Sequence, residues 1–528
     1  MASPDTDDKP HLREQTTRGP TVEEIIADLE NETAIPTSSV DITYARKAGV
    51  LNRAIKDIGM GWYQWQLFIV IGFGWASDNL WPSVTSLILT PVKSEFNPPH
   101  APLLSLAQNI GLLAGAIFWG FGCDIFGRRW AFNLTLGLTA LWGLVAAGSP
   151  NFAAIGSFAA LWSFGVGGNL PVDSAIFLEF LPASHQYLLT VLSLDWALAQ
   201  VVANLIAWGL LSNFTCDIRD TDCTREKNFG WRYFMIATGG LTLLLFVIRF
   251  LAFQIYESPK YLMGKGKDGE AVRVVHEVAR RNGTESWLTV EHLKACELEG
   301  YEQHSTARDA VKRKLETVNF THIRALFATK KLGYSTGALM LVWALIGLAF
   351  PLFHAYLPYL QAIRGANFGD GSTYLTYRNN LILAVLGVPG ALVGAFLAET
   401  KFGRKGALSL STALTGVFLF ASTTATNSSA LLGWNSAYSF TSNIMYAVLY
   451  AFTPELFPTQ DRGTGNALTA TSNRIFGIFA PIIAIYGDLN TPVPVYVSGA
   501  LFIAAGAILY EDVNDVADAL TYTPKTSS

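Results

Sequence analysis

The stretch GFGCDIFGRRW at 120–130 and the stretch AETKFGRKGAL at 398–408 decide how this chain is read, because they hold two copies of one element. Gly127-Arg128-Arg129 stands 52 positions before Glu179, with Pro182 three beyond; Gly403-Arg404-Lys405 stands 52 positions before Glu455, with Pro458 three beyond. The copies are 276 residues apart, and the same offset carries Asp78 onto His354 and Pro82 onto Pro358. Half of the chain is therefore a copy of the other half. In a membrane protein, such a repeat implies two bundles that rock around a shared central site.

The composition puts those bundles in a bilayer. Of 528 residues, 51% are hydrophobic and 15% charged, where a soluble chain carries about a quarter. Apolar runs able to cross about 30 Å of hydrocarbon as helices recur near 65–90, 104–122, 130–149, 152–178, 188–211, 232–255, 334–360, 379–398, 407–424, 430–452, 465–487 and 493–510. The run 152–178 is weakened by Gly156, Gly165, Gly167 and Gly168. The expected fold is an all-α membrane protein with twelve transmembrane helices in two pseudo-symmetric six-helix bundles. The expected organisation is a cytoplasmic leader over 1–60, a first bundle over 61–256, a cytoplasmic central loop over 257–333, a second bundle over 334–510 and a cytoplasmic tail over 511–528.

Lysine and arginine orient the chain, because short cytoplasmic loops retain positive charge. The leader carries seven and the segment from Arg249 to Lys331 fifteen, while the loops on the other side hold Lys93, Arg219, Arg225, Lys227, Arg232, Arg364 and Arg378. Both termini are then cytoplasmic, and the expected location is a multi-pass position in the plasma membrane. No cleavable signal pattern precedes the first span, which is expected to act as the insertion signal. Residues 41–58 read as a short amphipathic helix or as a solvated spacer. Cys216 and Cys223 fall in an external loop as a possible disulfide, beside the glycosylation sequon at Asn213; a second sequon sits at Asn427. No phosphate-binding G-x-x-x-x-G-K-[ST] loop or H-E-x-x-H pair occurs, so neither an ATP motor nor a metal enzyme is expected, and no cofactor. The expected partners are a small-molecule substrate, a proton as coupling ion and the lipid bilayer, with no nucleic acid and a monomeric state.

These residues support a family resemblance. The segment from Gly120 through Asp124, Gly127, Arg128 and Arg129 resembles the G-x-x-x-D-x-x-G-R-R/K signature of the major facilitator superfamily. The segment from Glu455 through Pro458 to Arg462 and Gly463 resembles the E-x-x-P-x-x-x-R-G element of sugar porters and organic-ion transporters, and Glu257-Ser258-Pro259-Lys260-Tyr261-Leu262 resembles the E-S-P-R-Y-L that opens their central loop. The stretch from Gly165 through Asp173 to Glu179 is most similar to the synaptic-vesicle-protein-like branch, which includes fungal general substrate transporters. The resemblance implies secondary active transport and assigns Asp124, Gly127, Arg128, Arg129, Glu179, Arg404, Glu455 and Arg462 to a cytoplasmic gate whose ion pairs form as the inner face closes. The second copy departs from the first, since Thr400 stands at the position matching Asp124, one residue after Glu399. The paired glutamines of a hexose site are missing from the seventh span, which turns the substrate expectation away from sugars.

Charges inside the spans point to chemistry, because each costs about 2.5–3.5 kcal/mol at the bilayer centre unless paired or solvated. Arg474 lies about eleven residues into the eleventh span, roughly 17 Å from its start. Its fork suits an anionic substrate, and in organic-ion transporters the matching position is basic in anion carriers. The competing reading pairs Arg474 permanently with Asp173 or Asp195. Asp78, Asp173 and Asp195 are the proton-coupling candidates, and Asn204, Gln200, Asn443, Tyr446 and Trp75 join Arg474 as substrate-binding candidates. The leading expectation is a proton-coupled carrier of an organic anion. The alternatives are a sugar or natural-product transporter and a non-transporting nutrient receptor.

Overall fold

The computed structural model describes residues 42–182, 185, 188–192, 194–218, 220, 223–297, 323–324, 326–398, 400, 403–457 and 462–512. The rest of the expected leader, central loop and tail, with Glu399 and Pro458, lies outside the described residues.

Twelve helices among the described residues have eighteen residues or more, and no strand occurs among them. The first six are α2 (Trp62–Phe96), α3 (Leu103–Phe126), α4 (Arg128–Ala146), α5 (Phe152–Phe180), α7 (Leu194–Phe214) and α8 (Gly230–Val247). The second six are α12 (Lys330–His354), α14 (Thr373–Ala398), α15 (Gly403–Thr423), α16 (Ser428–Leu456), α17 (Arg462–Tyr486) and α18 (Val493–Asp512). Shorter helices are α1 (Ile42–Ile58), α6 (Leu188–Val191), α9 (Pro259–Gly264), α10 (Asp268–Arg281), α11 (Val290–Lys294) and α13 (Leu357–Phe368).

The duplication persists in the backbone. Helices α5 and α16 each have 29 residues and start 276 positions apart. Asn151 and Asn427, separated by the same offset, cap them identically: each side-chain oxygen accepts the N–H three residues on, from Ala154 and from Ala430, at 2.8 Å. The caps satisfy donors that the first helical turn leaves without partners. Helix α5 packs on α3 and α4, as α16 packs on α14 and α15. The glycines that lower the apolarity of 152–178 allow this packing. A Cβ at Gly167 would strike the Leu112 carbonyl of α3, and one at Gly165 the Thr135 carbonyl of α4. Small residues here bring backbones together where lipid gives no hydrophobic drive.

Three expected spans differ from the apolar runs. The run 334–360 is broken after His354, and Tyr356 precedes α13 with Pro358 in its first turn, where the missing proline N–H has no helical bond to lose. The run 188–211 divides into α6 and α7. The run 232–255 ends in a π-helical turn, Ile248–Ala252.

Within the expected 41–58 segment, Ile42–Ile58 forms a helix with a buried face rather than a spacer. Val50, Leu51 and Ala54 of α1 join Val275 of α10 and Leu293 of α11 in one apolar cluster. Buried Lys47 ties this module together, with its ammonium 2.7 Å from Asp268 and 2.6 Å from Glu297. Asn282 then anchors it to α2, accepting from the Tyr63 N–H at 3.0 Å and donating to Gln64 at 2.8 Å. On the opposite side Cys216 and Cys223 are bonded, with Cα atoms 5.8 Å apart. Arg232 is buried there against Glu95, with nitrogen–oxygen distances of 2.7 and 2.8 Å. Asn213 lies in the last turn of α7, where its amide nitrogen donates to the Gly209 carbonyl at 2.8 Å, and it is exposed, as is Asn427.

If the two caps are equivalent, Asn151→Ala and Asn427→Ala will each lower stability by about 1 kcal/mol, read as matching drops in detergent thermal unfolding. A loss confined to one of them would contradict the equivalence.

Candidate functional site between the two halves

Asp78 sits midway along α2, and Arg474 faces it from α17 in the other half, with the closest nitrogen–oxygen approach at 3.8 Å. That exceeds hydrogen-bond range, and the Asp78 oxygen concerned has no hydrogen-bond partner. Both side chains are partly open, at 14% and 21% of full exposure. A chain of aromatic rings includes Tyr450, which interacts electrostatically with both members of the pair. Trp75 stacks on Trp196 at 5.6 Å, and Trp196 crosses between the halves to meet Tyr450 edge-on at 4.5 Å. Tyr450 continues to Tyr446 at 6.3 Å, Tyr446 to Phe350 at 4.9 Å, and Phe350 to His354 at 4.4 Å. One wall of rings thus runs from Asp78 and Arg474 toward the outer end of α12.

The alternative pairing of Arg474 with Asp173 or Asp195 is not what the structure shows. Asp173 is fully buried and ion-paired with Arg249, which is fully buried too. Arg249 belongs to the sixth span's π-turn and not to the cytoplasmic cations with which it was counted. Its guanidinium lies 3.0 Å from the centre of the Phe132 ring. Gly74 leaves room for the carboxylate, since a Cβ there would fall on Asp173 Oδ2. An aspartate in one apolar run and an arginine inside another was the available signal. Asp195 opens α7 in its first turn beside Gly72, with no ion-pair partner among the described residues.

The amide candidates separate. Gln200 and Asn204 line a small cavity of about 30 Å³ between the halves, outward of Asp78. Asn79, which sequence reasoning missed, anchors Gln200: it donates to the Trp196 carbonyl at 2.9 Å and accepts from Gln200 at 3.5 Å. Asn443 packs instead against Gly387 between α14 and α16 and donates to the Ser439 carbonyl at 2.9 Å. The structure therefore brings Arg474 and Asp78 together, links Trp75 and Tyr446 to each other through Trp196 and Tyr450, and places Gln200 and Asn204 in the cavity beyond.

At the end that carries the Gly127 and Gly403 turns, expected to be cytoplasmic, Arg128 pairs with Glu179 and Arg404 with Glu455, the latter at 2.6 Å. Both pairs lie within one half. Gly127 and Gly403 start the following helices at φ 105° and 71°, a region that favours glycine. Glu257 was not singled out for this role, yet its carboxylate accepts from the N–H groups of Arg128 at 2.9 Å and Arg129 at 3.4 Å. The E-S-P element is the signal that marks it. Asp124 and Arg462 are placed on α3 and α17, but their side chains lie outside the described residues. At the opposite end, hydrogen bonds join the halves: Ser86 to the His354 carbonyl and Tyr377 to the Leu87 carbonyl, each 3.2 Å, and Thr373 N–H to Asp217 at 2.7 Å. That end is closed between the halves, while the Arg128–Glu179 and Arg404–Glu455 pairs hold within each half.

Two outcomes follow from these charges. Asp173→Leu would strand a buried arginine at a cost of about 3–5 kcal/mol, and adding Arg249→Leu should recover most of the lost thermal stability. An equally unstable double variant would refute the pairing. Burial first, and the neighbouring Arg128 second, lower the Lys260 pKa to about 8. Near neutral pH the folded chain therefore carries an unfavourable ammonium there. Stability rises above pH 8, as the folded state gives up that proton before the unfolded state does. Lys260→Met should raise the melting temperature at pH 7 and lose that advantage toward pH 10; an advantage that does not change with pH would refute the assignment.

Comparison with known proteins agrees with this architecture. Residues 99–510 match the family model described as sugar (and other) transporter. The chain is 54% identical over 473 residues to the MFS siderochrome iron transporter 1 of Ceriporiopsis subvermispora, covering 89% of this chain and 91% of that one. It is 25% identical over 440 residues to the niacin transporter NiaP of Acinetobacter baylyi, covering 82% and 89%. Its fold is similar to the inward open conformation of the xylose transporter XylE from E. coli, with a TM-score of 0.63 and 16% identity over 87% of this chain and 100% of that one. Two six-helix halves that repeat each other around an intramembrane site, with this family match over most of the length, mean that the chain belongs to the sugar (and other) transporter family of the major facilitator superfamily, as a multi-pass membrane transporter and not an enzyme.

Proposed function

We propose that this protein carries a small organic anion, foremost an aromatic carboxylate, by alternating access coupled to protons. The observation that carries the reading is the loose pair of Arg474 and Asp78 between the halves, 3.8 Å apart and partly open. A guanidinium binds a carboxylate through two parallel hydrogen bonds, so an incoming anion competes with Asp78 for Arg474. Asp78, once displaced, gains by taking up a proton. Trp75, Trp196 and Tyr450 supply ring faces beside the pair, suited to a planar ligand. The niacin carrier among the relatives supports a ligand of this kind. We assign coupling to Asp78 in preference to Asp173, whose carboxylate Arg249 holds, and to Asp195, which has no ion-pair partner among the described residues.

In this reading the structure represents the outward-closed stage of the cycle. Arg128, Glu179, Arg404 and Glu455 then stiffen the cytoplasmic ends of each half as it moves. The Lys and Arg distribution supports cytoplasmic termini.

A second reading is an iron siderochrome carrier, favoured by the relative at 54% identity. Uptake of labelled nicotinate into vesicles tests the first. Arg474→Gln should lower it roughly 10–100-fold, the loss of charge-assisted hydrogen bonds, with thermal unfolding unchanged. Undiminished uptake would remove Arg474 from the site, and siderochrome uptake without nicotinate uptake would favour the second reading. Asp78→Asn should abolish accumulation driven by a pH gradient while retaining nicotinate exchange; accumulation at the original level would exclude Asp78 from coupling.

A further inference from the structure

We propose that the second half carries a binding site of its own, for a short 2-hydroxycarboxylate, at the end where hydrogen bonds join the halves. It does not depend on the role given to Arg474. A cavity of about 120 Å³ lies there between α13, α14 and α16. A cavity of about 150 Å³ holds benzene, so a molecule of glycolate's size fits this one. Its wall includes Gln361, Arg378, Ser428 and Asn435, and every residue that lines it belongs to the second half. Neither Arg474 nor Asp78 is among them.

Arg378 supplies the charge. The count of loop cations included it, but it lies within α14, partly buried. It has no ion-pair partner among the described residues. Its Nη2 donates to Asn379 at 3.2 Å, and its buried Nε makes no hydrogen bond. A guanidinium held in this way gains from an anion that pairs with its fork. Asp370 also lines the cavity, exposed and not ion-paired with Arg378. Further donors stand beside the cation. Gln361 accepts from Asn380 at 2.7 Å, which leaves its NH₂ to donate, and the Ser428 hydroxyl is buried without a partner. Leu375 and Ser428, both on the wall, lie in the first turns of α14 and α16, and helix N-termini favour negative charge. These groups suit a carboxylate. Asn435 asks for the opposite, because it is 2% exposed and its Oδ1 accepts no hydrogen bond. A buried acceptor left without a donor is costly, and a hydroxyl on the carbon next to the carboxylate supplies one donor. An ammonium in its place would bring three donors to one acceptor and bury a second cation beside Arg378.

Equilibrium binding of labelled glycolate to the purified full chain, with acetate as competitor, tests the site. Wild type should bind glycolate saturably and acetate roughly fivefold more weakly, for want of the hydroxyl's hydrogen bond. Arg378→Gln should weaken both roughly tenfold or more, through loss of charge-assisted hydrogen bonds. Asn435→Leu, which replaces the amide by an apolar group of similar size, should leave acetate affinity unchanged and erase the preference for glycolate. Arg474→Gln should still bind glycolate as wild type does. Absence of saturable glycolate binding, equal affinity for acetate in wild type, insensitivity to Arg378→Gln, a preference that survives Asn435→Leu, or loss of binding in Arg474→Gln would overturn the site. The comparison of the two acids in wild type decides the matter even where a variant fails to fold.

Discussion

An ionised side chain in hydrocarbon must find a countercharge or water, and this chain meets the requirement in two different ways. Asp173 and Arg249 satisfy each other completely: both are fully buried, in contact, and packed under Phe132 within the first half. Arg474 and Asp78 satisfy each other only partly, across the junction and with access to solvent. Removing either partner of the closed pair leaves a charge with nowhere to go, so it suits a fixed element. In the proposed function the open pair is the one exchanged for a ligand, because it lies between the halves and is partly exposed. Separation and burial, rather than the residue types, distinguish the two pairs.

The duplication makes the division sharper. The backbone repeat survives in the lengths of α5 and α16, in the Asn151 and Asn427 caps, and in the positive φ of Gly127 and Gly403. The intramembrane chemistry does not repeat. At the 276-residue offset, Asp78 becomes His354, Asp173 becomes Leu449, and Arg474 corresponds to Leu198. In the proposed function a symmetric scaffold suits two halves that tilt alike, and an asymmetric site suits one substrate held between them. His354 and Asp78 occupy equivalent places yet belong to different environments, the first to an uncharged cavity and the second to a charged centre.

The fold was legible because a bilayer restricts the choices: long apolar runs become helices, and the repeat distance pairs them. The motifs at Gly127 and Gly403 marked the cytoplasmic turns for the same reason. What escaped depended on contacts between distant segments. Arg249 read as a loop cation because it lies near the end of its run, and nothing in its neighbours announces Asp173. The interruption between His354 and Leu357 hid inside a continuous apolar run. The leader helix joined the central loop through Lys47, whose partners lie more than 200 residues away. Gln200 and Asn204 were visible as polar residues in a span, but Asn79 and the cavity beyond it required three dimensions.

The exchange of Asp78 for a ligand on Arg474 is tested most directly by nicotinate affinity in Asp78→Asn and wild type, measured across a pH range in which nicotinate itself stays ionised. If Asp78 competes for the guanidinium, wild-type affinity rises as the pH falls, and the variant binds more tightly than wild type at neutral pH with little dependence on pH. Weaker binding by the variant, or the same pH dependence in both proteins, would show that Asp78 does not compete with the anion, and would contradict the exchange.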